Sequence, residues 1–420
     1  MKKTFFPFYA IFLVAFFISC EQENQPKPIE VEKLVLEVKA VNTDAENIVI
    51  DNFSHFVSLE VVKGKSSIEL EISLAPGVTM DTPATLKAVY DLDNEPSFVV
   101  KYHGNKIKYT IKFTTRVPEF DPTDKGWVKD ETFGTLPAYL SVYKYNKTVD
   151  GKAVKAYLAV ADMNDPKARF TVLGESHYDT GSSVPTPTQF YENNSKPVIV
   201  LNGGYFWDGY SLGLIIRNGK TISLSQTMFW RDYNGASTVY YPTVGSFGQD
   251  DDGSFSVHWC YHTDANTLYA YTSPSLNKAG EKPQPIPSAT FPTEGRRWTP
   301  KEAIGAGPIL IKNGVYKNLW EAEMYDEYSG VGPTGKNPRS SVGYVPSGFL
   351  LFFVCEGRYM TSQIPGLTLE NEANLLLEIG CTEALALDDG GSSCMLINGK
   401  ETIKPSDGTQ RRITNVVVLY

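Results

Sequence analysis

An apolar run, Ala384 to Leu387, leads straight into Asp388, Asp389, Gly390, Gly391, Ser392 and Ser393. Carboxylates at a strand end can act as general base, nucleophile or metal ligand. The glycines behind them allow positive φ and a close approach of a ligand to the main chain. Asp, Gly and Ser also make ordinary surface turns, so the reading depends on what else reaches the same place. Polar residues stand at other strand ends: Asn202 after VIVL, Glu356 and Arg358 after LLFFVC, and Arg339 opening a strand after Pro338. Strand ends on one edge of a sheet converge in space, and sites form there.

Each of these residues has two readings. The guanidinium forks of Arg339 and Arg358 match phosphate oxygens, yet the same arginines can pair with Glu356 and Asp388 to tie strand ends together. Asn202-Gly203-Gly204 either aims backbone N–H groups at a ligand or is a plain turn. Tyr205 and Phe206 suit a sugar-stacking wall or a core. Ser392 can donate a hydrogen bond but has no nearby histidine to make it a nucleophile. His258, Cys260 and His262 alternate onto one strand face within reach of a metal. Metal ligands usually come from separate elements, so a structural role is the expectation and no metal site is assigned. Asp388 with Asp389, or Asp250 to Asp252, could instead hold calcium, and the latter run reads most simply as a hairpin turn.

The chain of 420 residues is long enough for two domains. Residues 1–20, MKKTFFPFYAIFLVAFFISC, have the two lysines and short apolar core of an export signal. Their end, FISC, resembles a lipobox, which predicts a lipid anchor at Cys20 in a bacterial membrane, with the protein in the cell envelope. Residues 21–30 read as a tether, and 31–117 as an immunoglobulin-like β-sandwich of short alternating strands. A proline-rich linker at 118–128 precedes a larger α+β domain, 129–420, with a mixed or mostly antiparallel sheet. Thr368 to Ile379 predicts a helix, capped by Thr368 and stopped by Gly380, that delivers the acidic turn. Beyond Cys20 the cysteines are Cys260, Cys355, Cys381 and Cys394, none in CxxC spacing. Cys355 and Cys381 are expected to be buried thiols.

Six motifs stand in order: VIVLNGGYFW (198–207), SLGLIIRNGK (211–220), AIGAGPILIKNG (303–314), NPRSSVGY (337–344), LLFFVCEGR (350–358) and RRITNVVVLY (411–420). With the acidic turn they resemble the phosphodiester glycosidase family over about residues 130–420. The chain departs from the family pattern twice: Asp389 stands where a glycine is usual, and Glu356 where Asp is frequent. The resemblance implies cleavage between the anomeric carbon and oxygen of a sugar 1-phosphodiester, giving free sugar and a phosphate monoester, with no cofactor. It implies Arg339 and Arg358 on the phosphate, with Asp388 as nucleophile or base and Glu356 as partner carboxylate; which carboxylate takes which part is undecided. Asn202, Gly203, Gly204, Tyr205, Gly307, Ser340, Gly390, Gly391, Ser392, Arg411 and Asn415 would complete the substrate pocket.

A formal net charge of −9 argues against nucleic acid as a partner. Two other functions fit parts of the pattern. One is a glycan-binding surface lipoprotein without catalysis, suggested by the two departures. The other is a metal-dependent phosphodiesterase, which would cut the other side of the phosphate.

Overall fold

The computed structural model describes residues 33–41, 45–62, 65–116, 119–179 and 183–420. The export signal, Cys20 and the tether lie outside the described residues. Within the N-terminal part, Val35–Ala40, Ser67–Leu74 and Lys87–Asp91 form a three-stranded antiparallel sheet. Ala45–Asp51, Phe56–Val62, Asn105–Arg116, Ser97–Tyr102 and Thr79–Thr82 form a five-stranded sheet with one parallel pair, Phe56–Val62 on Asn105–Arg116. Period-two patterning explains the layering: Ser67–Leu74 buries Ile68, Leu70 and Ile72, which join Val57, Leu59, Phe98 and Val100 of the other sheet in one apolar cluster.

Residues from Trp127 onward form three larger sheets in which every strand pairing is antiparallel. The eight-stranded sheet runs Val315–Tyr316, Ile309–Lys312, Glu383–Ala386, Arg339–Val345, Phe349–Cys355, Ala156–Asp162, Leu140–Tyr145, Trp127–Lys129. The five-stranded sheet contains Phe170–Gly174, Asn415–Leu419, Ile199–Asn202, Met395–Ile397 and Lys400–Glu401. A seven-stranded sheet holds Ile215–Arg217, Glu302–Gly305, Val244–Gln249 and Phe255–Asp264 at its centre.

The eight-stranded sheet is covered on both faces, so Phe349–Cys355 is buried along its whole length and reads as a continuous apolar run. Phe352 and Val354 face a cluster shared with the other two sheets, while Leu351 and Phe353 face one that includes Leu369, Ala373 and Leu376 of the helix. The architecture is β-rich. Among the described residues the α-helices are Pro187–Asn193 and Leu369–Leu377. In the second, the Thr368 hydroxyl accepts the Asn371 N–H while the Asn371 side chain accepts the Thr368 N–H, a reciprocal cap. Trp127, inside the expected linker, already belongs to the eight-stranded sheet and packs between Tyr145 and Phe353.

Candidate active site

The acidic turn is the crossing from one sheet to another: Glu383–Ala386 lies in the eight-stranded sheet and Met395–Ile397 in the five-stranded one. The Asp388 N–H donates to the Gly203 carbonyl at 2.9 Å, which joins the turn to the end of Ile199–Asn202. Asn202 fixes the turn from both sides. Its Nδ2 donates to the Asp388 carbonyl at 2.6 Å and its Oδ1 accepts the Cys394 N–H at 3.0 Å. Asn202→Ala would leave both buried backbone groups unpaired, an expected cost of about 2–3 kcal/mol. A urea melt and kcat of the variant check this, and kcat is expected to fall ~10²-fold because the turn is no longer held in place.

Asp389 occupies its position at φ −115°, an ordinary extended value, so replacing the usual glycine does not disturb the turn. Gly390, at φ 61°, does need to be glycine, and Gly391 lies so close to Arg411 and Asp407 that a Cβ would collide with both.

Asp388 and Asp389 line a cavity of about 430 Å³ together with Arg358, Gly391, Arg411, Asp208, Tyr205, Phe206 and Trp207. Burial pushes the Asp388 carboxyl up to about 7; a hydrogen bond from Ser392 and the charge of Arg411 oppose the rise, and the charge of Asp389 adds to it. Burial also raises Asp389, to about 6, against the pull of Arg339, Arg358 and Arg411. Ser392 is buried, and its Oγ accepts from Arg411 Nη1 at 3.3 Å. Arg411 also pairs with Asp407 at 2.7 Å. Arg358 is exposed, and among the described residues its side chain donates to Asn337 at 3.3 Å and Ser406 at 3.4 Å.

A second cavity of about 320 Å³ shares the Tyr205, Phe206, Trp207, Ser329 and Val331 wall with the first. It is aromatic, and Trp207 and Tyr328 stand 76% and 71% exposed at its rim. Arg231 lines it but is engaged, pairing bidentately with Asp326 at 2.6 and 2.8 Å.

Several expected site residues sit behind the cavity. Arg339 is 1% exposed, and its donors go to the carbonyls of Leu367, Val331, Gly332 and Gly335 and to the Asp389 carboxylate. It has no donor left for a phosphate, so the direct grip expected of it gives way to a hold on Asp389. Glu356 is buried and does not line the cavity: it takes Lys155 Nζ at 2.6 Å and the Lys404 N–H at 2.9 Å. Burial alone would raise its carboxyl, but the Lys155 ion pair and these hydrogen bonds hold it below the usual range. The carboxylate that stands beside Asp388 is Asp389, its neighbour in the acidic turn and a departure from the family pattern.

Asn415 accepts the Gly204 N–H at 2.6 Å, and the Tyr205 hydroxyl donates to the Gly307 carbonyl at 2.7 Å. Ser340 accepts the Leu387 N–H through its carbonyl at 2.8 Å. Asn415, Gly307 and Ser340 brace the strands rather than line the charged cavity, whereas Tyr205 does line it. His258 meets Ser256 at 3.0 Å, with its imidazole driven down to about 3 by burial. Asp252 closes the Asp250–Gly253 hairpin by accepting from Ser254 at 2.9 and 2.6 Å. Cys260, Cys355, Cys381 and Cys394 are free and buried. Among the described residues no group of three or more His, Cys, Asp or Glu gathers as a metal would require.

A profile of the phosphodiester glycosidase family matches residues 195–420, the segment that holds the acidic turn and both cavities. The prophage-derived uncharacterized protein YomE of Bacillus subtilis is 33% identical over 254 residues, covering 58% of this chain and 32% of that protein. The N-acetylglucosamine-1-phosphodiester alpha-N-acetylglucosaminidase of Mus musculus is 24% identical over 323 residues, covering 73% of this chain and 53% of that one. The chain thus spans about a third to about half the length of these two relatives. Among solved structures, the zebrafish N-acetylglucosamine-1-phosphodiester alpha-N-acetylglucosaminidase catalytic domain matches with a TM-score of 0.42 at 18% identity, covering 68% of this chain and 85% of that one. A hypothetical protein from Synechocystis matches with a TM-score of 0.44 at 13% identity, covering 92% and 80%. The matched segment takes in more than half of the chain, and on that match the chain belongs to the phosphodiester glycosidase family.

Proposed function

We propose that this protein hydrolyses the glycosidic C–O bond of a sugar 1-phosphodiester, N-acetylglucosamine-like in its sugar, releasing free sugar and a phosphate monoester. The observation that carries the reading is one cavity in which two carboxyls with raised values face two arginines, Arg358 and Arg411. Phosphate is already a good leaving group, so the site has to bind an anion and stabilise positive charge at the anomeric carbon. Arg358 and Arg411 take the phosphate oxygens. Asp389, held by Arg339, faces the developing charge. Asp388 takes a proton from the attacking water, whose oxygen bonds to the anomeric carbon as the bond from that carbon to the phosphate oxygen breaks with its electron pair leaving on the phosphate. The phosphate monoester takes a proton from solvent and Asp388 returns its own to solvent. The aromatic cavity beside it offers ring faces to the rest of the substrate.

Both carboxyls act ionised in this scheme, so kcat/KM is expected to rise with pH through about 6 and about 7 and to level off above. A pH–rate profile checks it. A fall as pH rises through about 7 would instead give Asp388 the part of an acid. The reading itself is tested by incubating the full chain with an N-acetylglucosamine α-1-phosphodiester and identifying products by NMR: free sugar with phosphate monoester is expected, and sugar 1-phosphate would contradict it.

The sequence around Cys20 supports export and a lipid anchor, testable by palmitate labelling of the natural chain against Cys20→Ala. The two sheets of the N-terminal part, sharing one core, support an immunoglobulin-like spacer between anchor and enzyme.

A further inference from the structure

Arg358 and Arg411 come from segments far apart in sequence; Asp407 and Ser392 hold Arg411, while Arg358 meets Asn337 and Ser406. Arg358 follows a strand end and sits at φ 53°, a left-handed value that is strained for arginine and persists only when its neighbours enforce it. Arg411 lies in the loop between Lys400–Glu401 and Asn415–Leu419, whose Ser406 accepts Arg358 Nη1 at 3.4 Å and whose Asp407 accepts Arg411 Nε at 2.8 Å. One buried residue touches both segments, at the strand end before Arg358 and at Lys404, ahead of Ser406 and Asp407 in the loop. Glu356 lies two positions before Arg358, its N–H donates to the Lys155 carbonyl at 2.9 Å, and its carboxylate takes the Lys404 N–H at 2.9 Å. The same carboxylate oxygen pairs with Lys155 Nζ at 2.6 Å, so its charge is balanced without either arginine.

We infer that Glu356 is the positioning residue of the anion-binding wall, anchoring at once the strand end that presents Arg358 and the loop that presents Arg411. The inference rests on the proposed phosphodiester reading for its substrate, but the anchoring concerns phosphate binding alone. Its side chain suits the task. The chain runs from strand end to loop through a carboxylate that accepts two donors, and the methylene that separates Glu from Asp lengthens the reach to the Lys404 amide. A carboxylate engaged this way does not take part in bond breaking, so its loss acts on affinity and orientation.

The test measures binding of inorganic phosphate by calorimetry on the full chain in detergent, which needs no turnover, beside KM and kcat for the diester. Glu356→Ala is expected to weaken phosphate binding and raise KM by about 10–100-fold, because small misplacements of a binding group cost that much, with kcat within about threefold. Glu356→Gln keeps an acceptor for the Lys404 amide and is expected to stay within about threefold in phosphate affinity. Lys404→Pro removes the amide donor, and Lys404→Ala, which loses the same side-chain charge but keeps that donor, is its control. The proline variant is expected to weaken phosphate binding as Glu356→Ala does and Lys404→Ala to stay within about threefold, which keeps the test decisive if Glu356→Ala does not fold. Unchanged phosphate affinity in Glu356→Ala and Lys404→Pro would overturn the inference. So would a collapse of kcat in Glu356→Gln, which would make Glu356 a reacting carboxylate. Absence of diester turnover in the unmutated chain, with phosphate binding still tracking Glu356, would count against the proposed reaction and not against the anchoring.

Discussion

Asp388→Asn is expected to lower kcat on a sugar 1-phosphodiester by about 10³-fold, the usual contribution of a positioned proton acceptor, with KM changed little. The amide keeps the volume, and Asn202, Gly203 and Cys394 hold the turn through backbone groups that the substitution does not touch. The fold should gain from the change. The carboxyl's value in the folded protein, about 7, lies above its ordinary 3.8, so ionisation inside the cavity costs stability as pH rises from about 4 and the cost is complete above about 7. Each tenfold change in proton affinity between the unfolded and folded chain corresponds to about 1.4 kcal/mol, and solvent in the cavity reduces the sum. Asp388→Asn is therefore expected to be about 1–2 kcal/mol more stable than the natural chain at pH 8 and equal to it near pH 4, by paired denaturant melts. Loss of activity with a gain in stability marks a residue kept for chemistry.

Arg339→Met should produce the largest loss of stability. Removing it leaves the Asp389 carboxylate without its closest cation and orphans the carbonyls of Leu367, Val331, Gly332 and Gly335. Breaking a buried pair by deleting one partner costs about 3–5 kcal/mol, a drop in Tm of roughly 6–15 °C for a domain of this size. Had Arg339 been a phosphate ligand with a free fork, its removal would relieve charge in the cavity and change Tm by a degree or two. Calorimetry on the variant separates the two. Asp389, freed of Arg339, should also titrate above about 6, which moves the rising limb of the pH profile upward.

The acidic turn and Arg358 are recognisable in the sequence as residues at strand ends, Arg411 enters through the resemblance to the family's last motif, and the structure brings them to one cavity. The helix was legible because its signals are local: Thr368 and Asn371 cap it, and Leu369, Ala373 and Leu376 repeat on one face. Arg339 and Glu356 were harder to place, since a residue after an apolar strand announces a strand end without saying toward which neighbour its side chain turns. Their partners, Val331, Gly335, Lys155 and Lys404, are distant in sequence or belong to irregular loops. Asp389 looked like a defect in a glycine pattern, because only its backbone angle reveals that glycine is not required there. Of the aromatic cavity the sequence offers Tyr205 and Phe206; Trp207, Phe229 and Tyr328 join them from short separate hairpins and a turn that no local signal connects.

Which bond breaks is the central claim, and hydrolysis in ¹⁸O-enriched water reads it directly. With an N-acetylglucosamine 1-phosphodiester as substrate, mass spectrometry should find the label at the anomeric hydroxyl of the released sugar and none in the phosphate monoester. Label in the phosphate would mean attack at phosphorus, and would contradict a glycosidase built on Asp388 and Asp389.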